Sequence, residues 1–80
     1  MKKHKDARAA LGRAREISRE RNLELMAAAI AFAASEGEDM PGAFDALAAA
    51  AKRQVNAVHA VGRAQKRVDE FVDAAPRKAS

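Results

Sequence analysis

The side chains in this sequence that could do chemistry are mostly cationic, and they are patterned. Lys5, Arg8, Arg15 and Arg19 fall within about 80° of one another on a helical wheel at 100° per residue, and Lys52, His59, Arg63 and Lys66 form a second stripe of the same kind. Two parallel rows of positive charge can track a phosphate backbone or an acidic protein surface. They can equally be a solvated helix face, eased by local acids such as Glu16 beside Arg13. There is no Tyr or Trp on which a base could stack, no recognisable helix-turn-helix turn, and no basic region leading into a zipper.

The remaining reactive side chains are sparse. His4 and His59 are the only histidines, and neither has a second histidine one turn away, so no metal site is expected and both read as surface residues. Glu36, Glu38 and Asp39 lack the alternating oxygen ligands and terminal glutamate of a calcium loop, and they suit a turn instead. Gly12, Gly37, Gly42 and Gly62 are isolated, so nothing cradles a phosphate. Ser18, Ser35 and Ser80 have no histidine and acid placed to activate them. With no cysteine there is no thiolate, disulfide frame or Cys-based zinc site. The expectation is a non-enzymatic protein with no catalytic residue, cofactor, metal or small-molecule substrate.

Eighty residues make one domain at most, and a chain of that length buries only about 60 to 65% of the surface its unfolded form exposes. The 49% hydrophobic content overstates the material for a core, because 22 residues are alanine and only fourteen are Leu, Ile, Val or Phe. Alanine adds helix propensity but little apolar area. Charge falls in three blocks. Residues 1–21 carry eight Lys/Arg against three acids (+5), residues 22–51 carry five acids and no Lys/Arg (−5), and residues 52–80 carry seven against three (+4). The basic N-terminus runs into charged residues without an apolar h-region, and the longest uncharged run, residues 25–35, is far short of a membrane span, so a cytoplasmic protein is expected. The alanine content, with nine arginines to six lysines, suits a GC-rich bacterial genome or its phages and mobile elements.

The elements that position these residues are two helices. Gly37, Pro41 and Gly42 bracket a short acidic turn at residues 37–39, between a helix over about residues 5–36 and another over 40–75 that Pro76 ends, with a basic tail at 76–80. Gly37 suits the left-handed position after the first helix, Asp39 the cap of the second, and Pro41 its first turn. So short a connection predicts an all-α, antiparallel, coiled-coil-like hairpin. On the second helix, Phe44, Ala51, Val58, Gln65 and Val72 alternate with Leu47, Gln54, Val61, Val68 and Ala75 in a heptad pattern. On the first, Ala7, Leu11, Ala14, Leu25, Ala28 and Phe32 fit the seam, while His4, Ser18 and Arg21 hold equivalent positions. Folding at the turn sets Phe32 near Phe44, Leu25 near Ala51, Ala14 near Val61 and Gly62, Leu11 near Gln65, and Arg21 and Ser18 near Gln54 in a polar layer. The competing arrangement breaks the first helix at residues 18–22, with Asn22 capping a third helix.

Residues 23–34 have a second apolar stripe, Leu23, Met26, Ala27 and Ile30, on the side away from Leu25, Ala28 and Phe32. One partner helix cannot cover both sides, so this stripe is expected to meet another chain, either as a dimeric four-helix bundle or as a docking face. The function that follows is a dimeric helical interaction protein that modulates or inhibits a macromolecular partner. The alternatives are a nucleic-acid-binding accessory protein, contacting phosphates through Lys5, Arg8, Arg15, Arg19, Lys52, Arg63 and Lys66, and a structural component or chaperone of a larger assembly.

Overall fold

A computed structural model describes the backbone of residues 2–74 and the side chains of residues 4–71. The tail at 76–80, Pro76, Ala75 and the side chain of Val72 lie outside the described residues. Helix α1 spans Lys2–Ala34, a single 3-10 turn spans Gly37–Asp39, and helix α2 spans Met40–Ala74. The two helices pack against each other along a molecule of 65 × 20 × 14 Å.

The chain reverses where its local chemistry favours it. The Ser35 hydroxyl and amide both donate to the Phe32 carbonyl, at 2.7 and 3.1 Å, using up an acceptor at the end of α1. Gly37 follows with φ of 56°, a left-handed conformation open to a residue without Cβ. The expected capping by Asp39 is not what forms. Glu36 takes the extended conformation before the turn, the Asp39 amide donates to the Glu36 carbonyl at 3.1 Å, and Asp39 lies inside the 3-10 turn that runs directly into α2.

The first helix is unbroken through residues 18–22, so there is no third helix among the described residues. Arg21 donates to Glu24 within the helix at 3.0 Å, and the Asn22 amide reaches forward to the Met26 sulfur at 3.9 Å. Asn22 therefore has its side-chain contact within the helix, where a cap would have turned to a free backbone amide. The flanking Arg, Glu, Leu and Ala residues are all good helix formers.

Contacts across the seam run in reverse order along the two helices: His4 against Phe71, Arg15 against Gln65, Glu24 against Arg53, Phe32 against Phe44. On α1 the covered positions are those expected, from Ala7 and Leu11 through Ser18 and Arg21 to Phe32. On α2 one column differs by a residue. Leu47, Gln54, Val61 and Val68 do face α1, but they alternate with Ala43, Ala50, Ala57, Ala64 and Phe71, while Phe44 and Val58 are exposed.

Size explains the displacement. The register fixed by His4 and Phe71 sets Ala7 opposite Val68, Leu11 opposite Ala64, Ala14 opposite Val61, Leu25 opposite Ala50, Ala28 opposite Leu47 and Phe32 opposite Ala43. Six of the nine layers pair a small residue with a larger one, which lets the backbones approach. Phe44 lies one residue off this column, half out of the seam, with its ring still tilted against Phe32 at 5.9 Å. Gly62 is likewise not at the seam opposite Ala14. It is exposed, and a Cβ built on it would meet nothing within 4 Å.

The polar middle of the seam is present but not closed. Arg21 lies at the seam yet bonds Glu24 on its own helix, and the Gln54 Oε1 is buried without a hydrogen-bond partner. His4 is also no surface residue: its ring packs at 5.6 Å from Phe71, and its Nε2 is buried and unpartnered.

Candidate interaction faces

Burial in this molecule is inverted relative to a finished fold. The buried hydrophobic residues are Ala7, Leu11, Ala50 and Ala57, whereas Ile17, Leu23, Met26, Ile30, Met40, Phe44, Val55 and Val58 are exposed. Burying apolar area drives folding at roughly 25 cal/mol per Å², yet three of the four fully buried apolar residues are alanines, while eight larger ones stand in water. Contiguous exposed apolar patches on a soluble chain mark interaction surfaces.

Six of these eight lie on two distinct surfaces; Ile17 stands on the Glu24 side of α1 and Met40 at the start of α2. Leu23 and Ile30, seven residues apart, sit on the side of α1 directly away from α2 and are 60% and 68% exposed. Ala27 flanks this ridge on one side and Met26, 53% exposed, on the other. The expected stripe Leu23, Met26, Ala27 and Ile30 is thus a ridge on the back of α1. The second surface belongs to α2, where Phe44, Ala48, Ala51, Val55, Val58 and Gly62 recur at alternating steps of four and three beside the seam. Phe44, Val55 and Val58 are each about half exposed, at 56%, 51% and 49%.

The two flanks of the rod can be told apart by the polar bridges that cross the seam. On one flank the Arg15 guanidinium donates to Gln65 Oε1 at 3.0 Å, and Gln65 Nε2 donates on to Asp69 at 2.9 Å. This is the flank that carries the α2 stripe, since Phe44, Ala51 and Val58 share the column of Gln65. Met26 and Ala29 border it from α1. On the opposite flank Glu24 links Arg53 at 3.9 Å and Arg21 at 3.0 Å. These ion pairs are exposed and add little stability, but they occupy the side that lacks the apolar stripe.

The basic residues divide in the same way. Lys5, Arg8, Arg15 and Arg19 are exposed on the Gln65 flank of α1, toward the end of the rod far from the turn. Lys52, His59 and Lys66 form one column of α2 bordering the apolar stripe on its outer side, with Arg63 next to it. Comparison with protein families, with curated proteins and with solved structures finds nothing that matches this chain. The basic rows and the α2 stripe therefore share one flank, a juxtaposition the helical wheels of separate helices did not show. Missed from sequence were Arg13 and Arg67, which line a shallow cleft with Asp6, Ala7, Ala10 and Phe71 at the open end. They had no stripe of their own to mark them, and only the register brings them together.

Among the described residues no three His, Asp or Glu side chains come together as metal ligands. Among them, too, no helix is long and apolar enough to cross a membrane.

Proposed function

We propose that this chain is a helical interaction protein that works as a dimer of antiparallel hairpins, forming a four-helix bundle, and that the assembled bundle binds and modulates or inhibits a macromolecular partner in the cytoplasm. The observation that carries this reading is the exposure of Leu23, Met26 and Ile30 on α1 and of Phe44, Val55 and Val58 on α2, while three of the four fully buried apolar residues are alanines. Two helices expose two apolar surfaces, so one can be consumed by self-association while the other stays available. The ridge Leu23, Met26, Ala27 and Ile30 is the surface left for the partner. Its position at the acidic, Lys- and Arg-free end favours a partner with an apolar groove rimmed by basic residues.

The test is size-exclusion chromatography with light scattering, followed by capture of binding proteins on the immobilised chain from nuclease-treated lysate. A dimer that retains a defined protein, and loses it on Leu23→Glu/Ile30→Glu while remaining dimeric, supports the reading. A chain that is monomeric at every concentration removes it. The convergence of Lys5, Arg8, Arg15, Arg19, Lys52 and Lys66 on one flank supports a second reading, in which the chain contacts phosphates without reading sequence. That reading predicts binding to duplex DNA or RNA that weakens steeply with salt, and no gel shift at about 50 mM salt contradicts it.

A further inference from the structure

We infer that the surface consumed by self-association is the α2 stripe, Phe44 to Gly62, paired with the same stripe of a second copy about a twofold axis beside Arg53. This rests on the dimeric reading above and commits it to one face and one register. A twofold interface must be complementary to itself, so residues on either side of its axis must fit one another. The stripe meets that requirement. With the axis beside Arg53, Phe44 falls opposite Gly62 of the second copy, Ala48 opposite Val58 and Ala51 opposite Val55. Every layer sets a large residue against a small one, as six layers of the seam between α1 and α2 do. Moving the register by one step of the stripe toward the turn sets Phe44 on Val55 and Ala48 on Ala51, which crowds one layer and empties the next.

Three further observations agree. Gly62 is an interior helix residue with no Cβ contact within 4 Å, so nothing in the single chain explains a residue that costs a helix about 1 kcal/mol relative to alanine. A phenylalanine ring from the second copy does. Charge also fits: an axis beside Arg53 on α2 passes beside Asn22 on α1, so each copy's acidic block, residues 22–51, lies along the basic open end of the other. The offset at which Arg15 meets Gln65 across the seam would bring Asp45 to Lys66 of the second copy across the new one. Finally, the chain exposes 6453 Å², against roughly 4,700 Å² for a compact monomer of its mass. The excess exceeds the roughly 800 Å² per partner that a standard interface buries.

The chain has no cysteine, so introduced thiols report proximity without background. Ala51→Cys and Val55→Cys proteins, mixed and oxidised mildly, are expected to give mainly the mixed disulfide-linked dimer, since the register places these two positions opposite one another. Gly62→Glu should weaken dimerisation about 100-fold or more in sedimentation, while helix content at high concentration is retained, because the single chain leaves that position open. Gly62→Ser serves as a milder second variant, expected to weaken it by about tenfold. A light-scattering dimer that links through Ile30→Cys and not through the mixed pair overturns the proposed face and leaves self-association standing. A chain monomeric at all concentrations overturns both.

Discussion

The inner seam and the outer stripe of α2 are built from the same alphabet and have opposite fates. Inside, Ala43, Ala50, Ala57 and Ala64 alternate with Leu47, Gln54 and Val61 and are covered by α1. Outside, Phe44, Ala51 and Val58 alternate with Ala48, Val55 and Gly62, and all but the half-buried Ala51 face solvent. The more apolar of the two columns, Phe44 and Val58, is the one left out. The difference teaches that hydrophobicity alone does not choose the face: the seam goes to the column whose sizes complement the partner's. α1 presents large residues at Leu11, Leu25 and Phe32, and these demand alanines opposite. The bulkier stripe is then free to meet a partner offering small residues, and its own far end, at Gly62, offers the smallest.

The variant with the largest expected effect removes the outer stripe and leaves the inner seam intact. Val55→Glu/Val58→Glu puts four carboxylates into the proposed interface of two copies. Dimer dissociation measured by sedimentation should rise by about 100-fold or more, and the melting temperature should stop depending on concentration. Next in size is Leu11→Ala, the loss of a large, fully buried side chain of the seam, which should lower stability by about 2 to 3 kcal/mol in urea denaturation. Gln54→Leu acts in the opposite direction. Its buried Oε1 has no partner, so an apolar replacement of similar volume should raise the unfolding free energy measured in urea by about 1 kcal/mol. The smallest effect comes from the turn: Gly37→Ala should cost about 1 kcal/mol, because φ of 56° strains any residue with a Cβ.

Legibility of the fold from sequence followed the strength of each local signal. The two helices, the turn at residues 37–39 and the left-handed Gly37 come from residues with strong local preferences. Their ends shifted by no more than three residues. The α1 side of the seam was also readable, because Ala7, Leu11, Ala14, Leu25, Ala28 and Phe32 have no competing heptad column with better packing. What failed did so at contacts between helices. The α2 column was displaced by one residue because apolar count favoured Phe44 and Val58, while the size of the opposing side chains favoured alanine. Asp39 lost its capping role because the 3-10 turn joins α2 without a gap. His4 was read as a surface residue although it occupies a seam position, since only the register reveals the Phe71 ring that covers it.

The candidate faces were legible to a lesser degree. The exposure of Leu23, Met26 and Ile30 follows from a helix segment apolar on two sides, whatever its partner. Of the α2 stripe only Phe44, Ala51 and Val58 were visible as a pattern, and they were assigned to the seam with α1, where Phe44 and Val58 prove exposed. Recognition of the stripe as an outward surface, and the fact that it shares a flank with Lys5, Arg8, Arg15 and Arg19, depend on the Arg15 to Gln65 bridge. That shared flank has a consequence for function. Under the proposed pairing the second copy would cover part of the basic row, so added duplex DNA is expected to shift the chain toward monomer, as sedimentation would show.

Sedimentation equilibrium of the unmodified chain over a thousandfold range of concentration tests the central claim most directly. A species of twice the 8.6 kDa chain mass is expected at high concentration, dissociating on dilution with loss of helical signal. A single 8.6 kDa species, fully helical across the whole range, would contradict it.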